Sequence, residues 1–81
     1  MLTEKKKAHL VWKCRRGMLE LDLILQQVLN KGLHTMSDQQ LVLFDQLLEN
    51  TDPELYTWLM GYEEPLDKGL REIVSYIRTQ Y

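Results

Sequence analysis

The residues of this 81-residue chain best suited to chemistry lie in one run, Arg15-Arg16-Gly17-Met18-Leu19-Glu20-Leu21-Asp22. Arginine presents a planar fork of donors that matches a carboxylate or a phosphate. Gly17 carries no side chain, so it permits sharp backbone turns and lets another surface approach the main chain closely. Glu20 falls in the first turn of a predicted helix, where the helix dipole favours a negative charge. Met18 adds an adaptable apolar contact. Such a set suits the recognition of a partner. A second arrangement of the same residues stays open: Arg16 and Glu20 pair across the turn, Gly17 serves only the geometry, and Glu20 caps backbone amides. Trp12, four residues before Arg16, reads either as core or as a half-exposed anchor stacked on Arg16. Trp58 reads as core.

Little else offers chemistry. The chain has no Gly-rich phosphate loop, no HExxH and no nucleophile elbow. Cys14 and His9 are the only Cys/His pair close in sequence, and five residues apart on one helix they point to different sides. A lone cysteine forms no internal disulfide, and the isolated His9 and His34 read as surface histidines, so neither a stapled scaffold nor a metal site is expected. Glu63 and Glu64 read as solvated loop carboxylates. The sequence predicts a protein that is not an enzyme and carries no cofactor of its own.

The elements that must position the run are predicted to be five short helices. The first covers residues 3–14, with Ala8, Leu10, Val11 and Cys14 on an apolar stripe and Lys5, Lys6, His9, Lys13 and Arg16 opposite. The second, 17–31, is the most apolar. Met18, Leu21, Ile24, Leu25, Val28 and Leu29 fill one stripe, while Leu19 and Leu23 outside it imply neighbours on two sides. Gly32 then fits a left-handed C′ residue. Ser37 and Gln40 form a capping box, with Met36 and Leu41 as a hydrophobic staple, and Leu41, Phe44, Leu47 and Leu48 face the core. Asp52 reads as the N-cap of helix four with Pro53 at N1. Its apolar face is Leu55, Trp58 and Leu59, and Gly61 ends it. The last helix begins at Pro65 and buries Leu66, Leu70, Ile73, Val74 and Ile77, with residues 79–81 fraying. Loops of about two to six residues then give an all-α, compact five-helix antiparallel bundle.

Bulk properties bound the rest. A chain this short buries about 60–65% of its unfolded surface, enough for one domain, residues 1–81, with one modest core. The basic start, Lys5-Lys6-Lys7, precedes an apolar stretch too short for a secretory signal, and no run reaches the ~20 residues that span a bilayer. The expected address is the cytoplasm, without membrane insertion. The net charge of −2 is segregated: residues 1–16 hold six basic residues against Glu4, and the remainder holds four against eleven acids. That polarity can steer a partner. It argues against nucleic acid, because the body is acidic and no helix carries the basic and amide face of a recognition element.

At Arg16-Gly17-Met18-Leu19-Glu20 the sequence resembles the SdhE family of bacterial succinate dehydrogenase FAD assembly factors, whose hallmark is an RGxxE motif. The likeness extends through Trp12-Lys13-Cys14-Arg15 on one side and Leu21-Asp22 on the other. A second block runs from Leu47 to Leu59 and contains Asp52-Pro53-Glu54-Leu55-Tyr56-Thr57-Trp58-Leu59. The resemblance implies a five-helix bundle that binds the flavoprotein subunit of succinate dehydrogenase, and in many bacteria that of fumarate reductase. It implies promotion of covalent FAD attachment to a histidine of that subunit. It assigns partner binding to Arg16, Gly17 and Glu20. Arg15, Met18 and Trp12 join them as candidates from their own chemistry, and the free chain is expected to be a monomer. Another protein-binding role, such as that of an antitoxin, is the alternative, and a small nucleic-acid-binding domain ranks behind it.

Overall fold

The computed structural model describes residues 3–80. Helix α1 (Glu4–Lys13) begins at Thr3, whose side chain accepts the Lys6 N–H. Helix α2 (Leu19–Gln27) runs without a break into a π-helical turn, Val28–Gly32, and a short 3₁₀ segment, Leu33–Thr35. Helices α3 (Asp38–Leu47), α4 (Asp52–Leu59) and α5 (Lys68–Gln80) complete an all-α bundle, with no strand among the described residues.

The core follows from the apolar spacing. Leu21 and Leu25 of α2, Phe44 and Leu47 of α3, Leu55 of α4, and Ile73 and Ile77 of α5 are fully buried together with Val28 and Leu33. Each such side chain contributes about 1.5–3 kcal/mol relative to leaving it in water. Helix α1 and its C-cap add Leu10 and Cys14 to this cluster, with Val11 half-buried against it.

Several expectations from the sequence are corrected. The left-handed turn predicted at Gly32 does not form: this residue stays right-handed with φ −97°, because the chain continues into the 3₁₀ segment instead of stopping. The only positive-φ residue among those described is Gly61, at 82°, where α4 ends as predicted. Asp52 is not the N-cap of α4. Thr51 is, and it forms a full capping box with Glu54, which leaves Asp52 and Pro53 in the first turn. Helix α5 starts three residues later than Pro65, and Leu66, placed on its buried stripe, is 98% exposed in the loop before it. Thr79 and Gln80 belong to α5, while Tyr81 lies outside the described residues. Leu19 and Leu23, expected to face a second neighbour, are 68% and 59% exposed. Ala8 is exposed, and Trp58 is only half-buried. The Ser37–Gln40 capping box is present, with Met36 and Leu41 both buried beside it.

Candidate functional site

Helices α1 and α2 meet at residues 14–18. Cys14 closes α1 with its N–H directed at the carbonyls of Leu10 and Val11, and Met18 opens α2 in extended geometry with no side-chain cap. The turn between them is fixed from below: the Arg16 backbone N–H donates to Asp22 Oδ1 at 3.1 Å.

The two arginines diverge. Arg15 is exposed, and its side chain forms no ion pair among the described residues. Arg16 folds inward, its side chain 16% exposed. Its Nη1 donates to the Asn50 carbonyl at 3.2 Å and to Asp52 Oδ1 at 3.3 Å, and its Nη2 donates to the Leu48 carbonyl. The expected Arg16–Glu20 pairing across the turn is absent. Glu20 is exposed and makes no hydrogen bond or ion pair among the described residues.

Gly17 is open. A Cβ placed there meets no heavy atom within 4 Å, and its φ is not in the left-handed region. The prediction that glycine is needed for a sharp turn therefore does not hold. Only the second reason stands, that its bare backbone lets another surface approach. Near it in sequence, Leu19, Leu23 and Trp12 are exposed, the last at 75%, so Trp12 is neither core nor half-exposed. No ring contact joins it to Arg16. Instead, Trp12 and Arg15 rim a hollow of about 460 Å³ floored by Leu48, with Lys13, Arg16 and Glu49 completing its lining. Met18 is half-buried against the core.

Lys13, placed by the sequence on the outer face, is turned inward. Its ammonium lies 2.7 Å from Asp45 Oδ1 and also pairs with Glu49, and its side chain is only 11% exposed. Burial lowers its pKa, but hydrogen bonds and charge from Asp45 and Glu49 outweigh that and leave it above the usual lysine value. The signal for this anchor was present: His9 and Lys13 are spaced four apart, as are Asp45 of α3 and Glu49 just past its end, so two basic side chains on α1 match two acidic ones. Burial pushes the Cys14 thiol up to about 12, against a smaller opposing pull from Arg16, so it is a packing residue and a poor nucleophile.

On the other side of Glu20, Tyr56 of α4 meets Tyr62 edge-on with ring centroids 6.1 Å apart. The phenol of Tyr56 is held above its usual value first by Tyr62, then by partial desolvation, and last by Glu20. Sequence reasoning did not single out either tyrosine. No group of three or more His, Cys, Asp or Glu among the described residues is placed to hold a metal ion, and no described helix is long and apolar enough to cross a membrane.

The family described as flavinator of succinate dehydrogenase matches residues 8–81, which span the whole of this corner. The chain belongs to that family. An FAD assembly factor SdhE of Legionella pneumophila is 53% identical over 78 residues, covering 96% of this chain and 98% of the relative. Those of Shewanella oneidensis and a Serratia species are 45% and 42% identical, covering 88% and 91% of this chain and 87% and 84% of each relative. The family is one of assembly factors.

Proposed function

We propose that this chain is an assembly factor that docks through Gly17 and Glu20 onto the flavoprotein subunit of succinate dehydrogenase and promotes covalent FAD attachment there. The observation that carries the reading is Gly17: it needs no special backbone angle and faces open space, so nothing inside the fold requires glycine. A bare backbone at that point serves something that approaches from outside. Exposed Glu20 and Arg15 flank it with opposite charges, and Leu19, Leu23 and Trp12 supply apolar contact area.

The chain supplies no acid, base or nucleophile to the attachment in this reading. Its one thiol is buried and protonated, and the exposed charges suit recognition. Binding energy is its contribution, favouring a conformation of the flavoprotein in which the reacting groups are aligned. It acts in the cytoplasm as a monomer when free, and the flavoprotein of fumarate reductase is a second acceptor to be compared in the same assay.

The test is in-gel flavin fluorescence of the denatured flavoprotein subunit, produced with and without this chain. Covalent flavin should rise strongly when the chain is present and should not when Glu20→Ala replaces it. Equal fluorescence with and without the chain would overturn the proposal.

A further inference from the structure

The guanidinium of Arg16 is turned into the fold, where its Nη1 and Nη2 are taken up while its buried Nε has no partner among the described residues. It reaches three acceptors spread over residues 48–52: the carbonyls of Leu48 and Asn50 and the carboxylate of Asp52. Leu48 is the C-cap of α3, so its carbonyl belongs to the negative end of that helix, where a cation is favoured. Asp52 stands in the first turn of α4, where its own negative charge is favoured too. A planar fork can serve acceptors placed this way, whereas the point charge of a lysine cannot serve all of them at once. To reach a partner, Arg16 would have to leave every one of these contacts and strand the carbonyls.

The same residue is held by its main chain as well, through its N–H to Asp22 Oδ1. Arg16 is thus gripped from α2 below and from the α3–α4 loop beside it, immediately before Gly17. Nothing local does this work, because Met18 has no side-chain cap.

We infer that Arg16, Asp22 and Asp52 are positioning residues that latch the segment before Gly17 onto the α3–α4 loop and so set the direction in which Gly17 and Glu20 face the partner. The inference rests on the proposed docking role of Gly17 and Glu20 and adds how that corner is aimed. It also gives the two sequence blocks, residues 12–22 and 47–59, one physical meeting point. Asp52 and Asp22 act through Arg16 and need touch nothing outside the chain.

The test compares the full-length chain with Arg16→Gln, Asp52→Ala, the double variant and Asp22→Ala, measuring affinity for the purified flavoprotein subunit by calorimetry. Asp52→Ala and Asp22→Ala should each weaken binding by about tenfold, and the double variant should bind no more weakly than Arg16→Gln alone, as for groups acting as one unit. In the free chain, the Gly17 amide resonance should shift in each single variant while the resonances of the α5 core stay in place, which a general loss of stability would not produce. Should Arg16→Gln fail to fold, Asp52→Ala and Asp22→Ala carry the test. Parent-like affinity in both aspartate variants, or losses that multiply in the double variant, would overturn the latch and make Arg16 a direct contact. The docking reading fails separately, if Gly17→Arg and Glu20→Ala bind as tightly as the parent.

Discussion

Two helix junctions of this molecule are built in opposite ways. At the α3–α4 junction the polar groups are used internally: Thr51 and Glu54 form a capping box, the Asn50 side chain donates to the Gln46 and Leu47 carbonyls, and the loop carbonyls receive Arg16. At the α1–α2 junction, past Arg16, they are not. Met18 offers α2 no cap, the Glu20 side chain makes no hydrogen bond or ion pair among the described residues, Gly17 faces open space, and Leu19 and Leu23 stand in solvent. A small domain with a modest core has reason to satisfy its helix ends. In the proposed reading, the open junction, beside exposed apolar side chains, is the contact surface and the closed one its foundation.

Substitutions should separate the two. Gly17→Arg should abolish support of covalent flavin attachment, read as flavin fluorescence of the flavoprotein, while circular dichroism shows an intact helical fold. Loss of helicity in that variant would show that the corner is packed in solution. Thr51→Ala, at the closed junction, should cost about 1 kcal/mol of stability by urea unfolding through loss of the N-cap, with the folded fraction still binding. Gly17→Ala should shift stability the other way, by about 0.4–1 kcal/mol, because it restricts the unfolded chain at a compatible position. It should nonetheless bind more weakly. A destabilised Gly17→Ala would mean the open space is filled in solution.

A further effect concerns pH. The Cys14 thiol ionises near 9.0 when unfolded but only at about 12 in the fold, so the folded state binds the extra proton between those values. Its contribution is fully present below about pH 9 and is lost as pH rises toward 12. Lys13 acts in the same direction: its raised pKa gives stability that is complete below the ordinary lysine value and lost as pH passes the folded one. Unfolding midpoints should therefore fall above pH 9, and Cys14→Ala should flatten the first part of that fall. A midpoint flat to pH 11 in the parent would show that the thiol is not desolvated.

The five helices were legible because apolar spacing and local signals agreed, as at Ser37–Gln40 and at Gly61. The misreadings arose where two local signals competed or where tertiary contact decided. Thr51 and Asp52 are both good caps, and only the Glu54 side chain reaching back selects the threonine. Pro65 fits a helix start, but it is buried in the loop and the Asp67 carboxylate caps the later start by accepting the Leu70 N–H. At the site, the sequence identified the residues but not their directions. Arg15 and Arg16 are chemically identical neighbours, and their division into outward and inward depends on carbonyls more than thirty positions away. Trp12 sits at the edge of the α1 stripe, a position that fits core or surface, whereas α1 packs on the core through Leu10, Val11 and Cys14.

Hydrogen exchange of the chain alone and bound to the flavoprotein subunit tests the central claim most directly. The amides of residues 17–21 include the uncapped first turn of α2 and should exchange fast in the free chain. On binding they should become strongly protected, while residues 48–54 change little. Unchanged exchange at residues 17–21 in a saturated complex, with protection elsewhere, would contradict the assignment of this corner as the docking surface.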